Sequence, residues 1–293
     1  MEASNKPKRD FKKGISTDDS RRRREETSVK LRKEKKEEGL AKRRNLTITD
    51  EPVSENPTVS SGSTEAVAPD LLQFCQMLKS QDIQEQVKGM KGFRRALSIE
   101  KNPPVQQCID LGVIPVFVQA LYQHHNMELQ FEAAWALTNI SSTDYTKLVA
   151  DCGAIPPLAQ LLSSANADIR EQSAWCLGNI AGDGAVLRDA ILAENAMPAL
   201  LANIAQPASL SLLRNCTWTL SNFCRGKPQS SLDKVGAALP ALAHLIMNQP
   251  DPDTIADAAW ALSYISDGDD KRIQAVVDLG VVPRLVEMMG SGN

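Results

Sequence analysis

The chain has 293 residues, of which 42% are hydrophobic but only 4% aromatic, and its formal net charge is −3. It has no uninterrupted apolar run of about 18 residues, and its Lys- and Arg-rich N-terminus has no apolar centre, so we expect neither a membrane span nor a secretory signal. The six cysteines and three histidines lack metal-ligand spacing, and we therefore expect no metal, no cofactor and no disulfide framework.

The charge is divided unevenly along the chain. Residues 1–50 hold 17 Lys/Arg and 10 Asp/Glu, whereas the remainder holds 16 and 26. Residues 51–69 are rich in Pro, Ser, Thr and Gly without periodicity, which is typical of a flexible linker. We therefore predict three regions: a basic arm (1–50), a linker (51–69) and a periodic body (70–293). Such asymmetry is typical of an interaction tail.

The arm can form a helix over 17–38, with Asp18 and Asp19 near its positive end. It has few apolar residues to bury, so alone it is predicted to be disordered. Phe11 is the one aromatic residue among its charges, which argues against binding single-stranded nucleic acid.

The body carries a repeated marker, a small residue and two apolar residues followed by Pro, at 112–115, 153–156, 195–198, 237–240 and 280–283. The Pro residues are 41, 42, 42 and 43 positions apart. A small residue ends one helix and Pro lies in the first turn of the next. A period near 42 with three helices is typical of armadillo or HEAT arrays, so we predict an all-α, right-handed solenoid with a concave groove.

We count five repeats, at 70–111, 112–152, 153–194, 195–236 and 237–279. Residues 280–293 begin a sixth unit without its long helix. We expect from this that the chain is either a C-terminally shortened form or an incomplete part of a longer array.

A second periodic feature is a Trp followed four residues later by Asn. The pairs are Trp135/Asn139, Trp175/Asn179 and Trp218/Asn222, and a fourth copy reads Trp260/Tyr264. Positions i and i+4 share one helix face, so each repeat presents the same two side chains. One Trp at helical spacing is usually core, but four in register favour a groove for an extended peptide. Tyr264 either continues this row or packs, and both remain open.

The long-helix motifs WALTNIS, WCLGNIAGDG, WTLSNFCRGKP and WALSYISDG, with the N-terminal run RRRREETSVKLRKEKKEEGLAKRRN, resemble importin alpha, the adaptor of nuclear import. The resemblance implies an armadillo solenoid whose groove binds Lys/Arg-rich localisation signals in extended form. Sequence signatures of enzymes, such as a phosphate loop, GxSxG or HExxH, are absent, so we expect no enzymatic activity and no catalytic residues.

The resemblance also implies which residues contact the peptide. Asp183, in the loop after Asn179, matches the acidic residue for the most demanding lysine, and Gln172 and Asn215 match contacting positions. Thr146 follows a loop that is shorter than in the family. The predicted peptide-binding residues are Trp135, Asn139, Thr146, Gln172, Trp175, Asn179, Asp183, Asn215, Trp218, Asn222, Trp260 and Tyr264.

The residue types suit this task. An Asn amide donates to a peptide carbonyl and accepts from a peptide N–H. Trp faces cover a Lys stem and attract its ammonium, at about 0.5–2 kcal/mol per contact. Arg225 interrupts a row of positions that is otherwise acidic or neutral, and it either separates two peptide sites or pairs with a neighbouring carboxylate.

By resemblance, the arm binds importin beta and also inhibits its own groove. The inhibitory cluster is Lys42, Arg43 and Arg44. The importin-beta-binding residues are Arg21, Arg22, Arg23, Arg24, Lys30, Arg32, Lys33, Lys35 and Lys36. The expected partners are cargo with basic localisation signals, importin beta and, through it, the nuclear pore, with no direct nucleic acid contact and no membrane insertion. The expected location is shuttling between cytoplasm and nucleus.

Two alternatives remain open. One is an armadillo scaffold for another extended partner, and the other is a truncated regulatory form that binds cargo without recycling. The basic arm argues against the scaffold, because a self-inhibiting cluster serves no purpose unless the groove prefers basic ligands.

Overall fold

A computed structural model describes residues 69–99 and 102–290, so the predicted arm and linker up to residue 68 lie outside the described residues. The described part is all-helical and contains no β-strand. Its helices are α1 Pro69–Leu78, α2 Ile83–Leu97, α3 Val105–Asp110, α4 Ile114–Ala120, α5 Met127–Ile140, α6 Thr146–Asp151, α7 Ile155–Leu161, α8 Ala167–Asp183, α9 Ala185–Ala193, α10 Ala196–Ala205, α11 Leu210–Cys224, α12 Leu232–Val235, a 3-10 turn Gly236–Ala238, α13 Leu239–Asn248, α14 Pro252–Ile265, α15 Asp270–Val277 and α16 Val282–Gly290.

The helices form a row of similar units. Five long helices, α2, α5, α8, α11 and α14, lie side by side, each packed against the next, and two shorter helices separate each consecutive pair. Every long helix begins at a capping side chain that accepts a hydrogen bond from a backbone N–H in its first turn. These caps are Asp82, Asn126, Asn166, Ser209 and Asp251.

The repeated Pro marker sets the corners between units. Gly112 and Gly153 adopt left-handed φ values of 66° and 84°, and Pro115 and Pro156 lie in the first turns of the helices that follow. Asn195 takes the same conformation at φ 55°, as Asn does more readily than other non-glycine residues. The marker at 237–240 has Ala at this position, and there the chain passes through a 3-10 turn instead.

The core is continuous and mainly aliphatic, as the low aromatic content predicts. Its aromatic part lies at the first repeats, where Phe93 and Phe117 meet edge to face with centroids 5.3 Å apart. All six cysteines are free. Burial raises the pKa of Cys108, Cys216 and Cys224 to about 12, so these thiols stay protonated and pack as small apolar groups. No helix within the described ranges is long and apolar enough to cross a bilayer.

Candidate peptide-binding surface

The three Trp/Asn pairs lie on α5, α8 and α11, which are consecutive packed long helices. We call these pairs, with Trp260/Tyr264 on α14, the ladder. Because each pair occupies positions i and i+4 of its helix, the Trp and Asn of one repeat share a face. The structure therefore aligns the residues that the sequence predicts to form a row.

The Asn amides of the ladder join neighbouring repeats. Asn139 donates from Nδ2 to the hydroxyl of Ser98 at 2.9 Å. Asn179 donates to the hydroxyl of Ser141 at 3.0 Å and to the backbone oxygen of Thr138 at 3.2 Å. Each acceptor belongs to the preceding long helix or the residues directly after it. These Asn residues therefore have a structural role that the sequence does not reveal.

Asn222 and Trp218 both contact the backbone of one glycine. Asn222 donates to the backbone oxygen of Gly178 at 2.9 Å. A Cβ built on Gly178 would lie 2.3 Å from the Trp218 ring, closer than any real contact. The absence of a side chain at Gly178 is therefore what lets the Trp218 ring lie against α8.

Three side-chain amide oxygens of this surface are buried without a hydrogen-bond partner among the described residues. They are Oδ1 of Asn139, Oδ1 of Asn179 and Oε1 of Gln172. A buried acceptor without a donor costs about 1–3 kcal/mol.

The Trp rings at the two ends of the ladder meet other side chains of the fold. The Trp135 ring meets Phe131 edge to face at 5.5 Å, and the guanidinium of Arg94 lies 4.4 Å from its centroid. At the other end Trp260 stacks on Tyr264 with centroids 5.9 Å apart and planes at 25°. Tyr264 is 8% exposed and belongs to the core, so it packs against the Trp of its own helix.

Asp183 is the last residue of α8, not a loop residue as the sequence suggested. The helix continues through the AGD segment and ends at Gly184, whose extended backbone starts the turn to α9. Asp183 is exposed and forms no ion pair with any described residue. Asp183 lies between the C-terminal end of α8 and the N-terminal end of α9, which begins at Ala185. Its exposed carboxylate can attract a cation of a ligand.

Other carboxylates on or beside the long helices form ion pairs with a cation of the same chain. Their pairs are Glu132 with Arg94, Asp251 with Arg214, and Asp267 with Lys227. Asp183 differs from them in having no such partner within the described ranges.

Glu171 is a candidate site residue that the sequence did not indicate. It accepts from the amide of Asn215 at 2.9 Å and from the hydroxyl of Ser211 at 2.7 Å, both on the next long helix. Glu171 lies four residues before Trp175 and eight before Asn179, so i, i+4 spacing was the signal that could have found it. The predicted residue Asn215 thus orients a carboxylate on the ladder face.

Thr146 is less available to a ligand than the prediction assumed. It is buried at the start of α6, and its hydroxyl donates to the backbone oxygens of Ser141 and Thr143, both at 2.8 Å. The short loop after Asn139 is therefore held by its own hydroxyl groups.

Arg225 follows α11 and forms no ion pair with a described carboxylate, so the structure does not support the pairing alternative. Its backbone oxygen accepts from the buried guanidinium of Arg188 at 2.6 Å. Arg188 also donates to the backbone oxygen of Pro228 at 2.8 Å. This arginine therefore holds the loop between α11 and α12.

Comparison with known proteins supports the architecture. Residues 101–142, 142–182 and 235–267 match the Armadillo/beta-catenin-like repeat, and residues 8–91 match the Importin beta binding domain. A designed armadillo repeat protein in complex with the peptide (KR)4 superposes with a TM-score of 0.69 at 25% identity, over 76% of this chain and 93% of that one. The fold is therefore an armadillo-repeat solenoid with a ladder of Trp and Asn along its long helices.

Proteins of similar sequence show to which family of armadillo-repeat proteins the chain belongs. The chain is 45% identical over 284 residues to importin subunit alpha-2 of Arabidopsis thaliana, covering 95% of this chain and 53% of the relative. It is also 45% identical over 287 residues to importin subunit alpha-B of Dictyostelium discoideum, covering 97% and 55%. The chain belongs to the importin alpha family, and it spans about half the length of these relatives. The family and its repeats are those of binding proteins, which agrees with the expectation that the chain is not an enzyme.

Proposed function

We propose that this chain is a nuclear import adaptor that holds Lys/Arg-rich localisation signals along the ladder and links their cargo to importin beta through its arm. The observation that carries the proposal is the ladder itself, three Trp/Asn pairs on consecutive packed helices. An extended peptide has unpaired backbone groups at every residue, and a regular row of side chains is suited to meet them.

The Asn residues take the role of acceptors in this proposal. Asn139 and Asn179 already use their nitrogens on Ser98 and Ser141, directly after the preceding long helices, while their oxygens are buried and have no donor among the described residues. A peptide N–H suits these oxygens better than a peptide carbonyl does, and it reaches them when the amide turns toward the ligand. This narrows the expectation that each Asn both donates and accepts.

Selectivity for cations follows from the Trp faces and Asp183. The Trp rings attract a Lys ammonium while covering its stem. Asp183 adds a carboxylate at the negative end of α8 that the fold leaves without a cation. The binding of a basic peptide by the designed armadillo relative supports the same chemistry.

The arm regulates access to the ladder in this proposal. Lys42, Arg43 and Arg44 are themselves a basic cluster. A flexible linker of about 25 residues spans roughly 25–30 Å and gives an effective concentration near the millimolar range. Importin beta, by binding the Arg- and Lys-rich segment from Arg21 to Lys36, withdraws the cluster and admits cargo. The adaptor shuttles between cytoplasm and nucleus with its cargo.

The test is fluorescence anisotropy of a labelled Lys/Arg-rich peptide with the full chain and with a triple variant, Lys42→Ala, Arg43→Ala and Arg44→Ala. We expect tighter binding by the variant, and weaker binding of both proteins at higher salt because the contacts are charged. A matched peptide with Gln at every basic position is the control. Equal binding by both proteins removes self-inhibition. Failure of both to distinguish the two peptides leaves an armadillo scaffold for another partner.

A further inference from the structure

The Asn bonds define a register that relates one long helix to the next. Asn222 donates to the backbone oxygen of Gly178, the residue before Asn179. Asn179 donates to the backbone oxygen of Thr138, the residue before Asn139. Each of these two Asn residues thus donates to the backbone oxygen of the residue directly before the ladder Asn of the previous repeat. We call the place of that Asn, on any long helix, its ladder position.

The same rule identifies the ladder positions of α2. Asn139 approaches the backbone oxygen of Arg94 at 3.5 Å, so the ladder position of α2 is the next residue, Arg95. The position equivalent to Trp135 is four residues earlier and is occupied by Lys91. Where the next three long helices carry Trp and Asn, α2 therefore carries two cations.

The two cations are accessible and available. Arg95 is exposed and Lys91 is half-buried, and neither forms an ion pair with a described carboxylate. Lys88, on the same face, pairs with Glu85 at 2.7 Å. The opposite face of α2 is buried in the core, so the cationic face points away from it.

Arg94 closes the ladder to ligand cations on this side. Its guanidinium lies 4.4 Å from the centroid of the Trp135 ring and is held by Glu132 at 2.6 and 3.2 Å. Both charged side chains are 5% exposed. A cation of the fold therefore already covers the Trp135 face that looks toward α2, and a ligand cation has no place there.

We propose that the α2 end of the ladder binds an anionic group next to the basic run of a ligand peptide. This rests on the proposed function of the ladder as a peptide site. The charge along the surface reverses from the carboxylate of Asp183 to the cations of Lys91 and Arg95. Neighbouring helices are about 8–10 Å apart and an extended chain advances about 3.3 Å per residue, so the anion lies about three residues beyond the last stacked cation.

The test uses the full chain with Lys42→Ala, Arg43→Ala and Arg44→Ala, so that the arm does not compete. Labelled peptides share one Lys/Arg core and carry, after a Gly-Ser spacer, a Glu-Glu, phosphoserine or Ser-Ser flank at either end. A further pair has a free or an amidated C-terminus. Anisotropy gives their affinities at low and physiological salt.

We expect an anionic flank at one end to raise affinity two- to fivefold over Ser-Ser, about the size of an exposed charge pair, and to lose this gain with salt. Arg95→Glu abolishes or reverses this gain, which is measured as the ratio of anionic-flank to Ser-Ser affinity within the same protein, so that any effect of the charge change on the shared basic core cancels. Lys234→Glu, an equal charge change on α12, preserves it. Comparison of the Glu-Glu flank, the phosphoserine flank and the free C-terminus shows which anion the subsite prefers. The peptide end at which the anion raises affinity gives the direction of the bound peptide.

Two outcomes overturn the proposal. If the core peptide binds but no flank at either end changes its affinity, or Arg95→Glu leaves the gain intact, the anionic subsite is wrong while the peptide groove stands. If the core peptide does not bind at all, the proposed function fails, and the subsite fails with it.

Discussion

The amide nitrogen of Asn179 lies 3.0 Å from the hydroxyl of Ser141, so a residue predicted to hold ligand also joins two repeats. Such a bond couples the peptide surface to the stacking of the solenoid. Repeat arrays depend on these nearest-neighbour interfaces, because each unit contacts only its neighbours. Asn179 can therefore contribute to the stability of the fold and, separately, to peptide binding, and mutations can measure each contribution.

The variants Ser141→Ala and Asn179→Ala separate the contribution of Asn179 to stability from its contribution to peptide binding. Ser141→Ala removes one acceptor and is expected to lower the free energy of unfolding by about 1 kcal/mol, with little change in peptide affinity. Asn179→Ala removes the amide entirely and is expected to cost at least as much stability and to weaken peptide binding about three- to tenfold. Urea unfolding and anisotropy measure the two effects. Equal losses of affinity in both variants would show that Asn179 acts on the peptide only through the fold.

Gly178 and Gly182 offer a matched pair on α8. A Cβ at Gly178 meets the Trp218 ring at 2.3 Å, whereas one at Gly182 has no neighbour closer than 3.4 Å. Gly178→Ala is therefore expected to displace Trp218, costing about 1–3 kcal/mol by overpacking and weakening peptide binding. Gly182→Ala is expected to be neutral or stabilising, since Ala favours the helix by up to about 1 kcal/mol. Thermal unfolding and Trp fluorescence are measured for both variants. Similar melting temperatures and similar emission spectra would contradict the conclusion that Gly178 makes room for the Trp218 ring.

The repeat architecture could be predicted from the sequence because the marker residues recur at a regular interval of about 42 residues. The Pro marker and the Trp spacing place four of the five long helices, α5, α8, α11 and α14, and i, i+4 geometry aligns the ladder. The hydrogen bonds of Asn139 and Asn179 could not be predicted, because they depend on which backbone oxygen of the previous helix lies opposite. The loop predicted at Asp183 was wrong, because α8 continues through Gly182 to Asp183.

The cationic ladder positions on α2 show a related limit. Lys91 and Arg95 lack the Trp/Asn signature, and their spacing to Trp135 and Asn139 is 44 residues, so no motif search on this chain finds them. The register becomes visible only through the approach of Asn139 to Arg94. The roles of the predicted peptide contacts remain predictions, because geometry places them without a ligand.

Arg188 is expected to be essential for the loop between α11 and α12. It is fully buried and donates to the backbone oxygens of Arg225, Gly226 and Pro228 at 2.6, 3.4 and 2.8 Å. Arg188→Met leaves these acceptors without a donor, at about 1–3 kcal/mol for each one that stays buried. Hydrogen exchange should rise in residues 225–230, and unchanged exchange there would contradict the assignment. Val186→Met, at an exposed position of the same helix, is the control.

Asp251 makes stability depend on pH in the acid range. Hydrogen bonds from Arg214, and then from Thr254, lower the pKa of the Asp251 carboxyl to about 2. Because the folded-state pKa lies below the unfolded value near 3.9, this contribution is complete above about pH 4 and is lost as the pH falls toward 2. We expect Asp251→Asn, which keeps an acceptor for the helix cap, to lower stability at pH 6 but to approach wild type near pH 2.

Urea unfolding between pH 6 and pH 2.5 measures this dependence. Arg214→Gln is the companion variant, because it removes the first cause of the lowered pKa and should also flatten the acid limb. A constant difference between wild type and Asp251→Asn over the whole range would mean that the carboxylate adds no ionic stabilisation and only caps α14.

Asp183 gives a prediction in which binding changes while stability does not. Its carboxylate lies between the C-terminal end of α8 and the N-terminal end of α9 and forms no ion pair among the described residues. The two helix-end effects oppose each other, so removing the charge should change the free energy of unfolding by less than about 0.5 kcal/mol. The same change should weaken binding of a basic peptide about tenfold, because a ligand ammonium loses its counter-charge. Asp183→Asn tests both effects, and Asp183→Lys should abolish peptide binding at unchanged helicity. Asp233→Asn, an exposed carboxylate in the first turn of α12, controls for net charge. Unchanged peptide affinity of Asp183→Asn would place Asp183 outside the site, whereas a loss of both stability and affinity would indicate a structural role for this carboxylate.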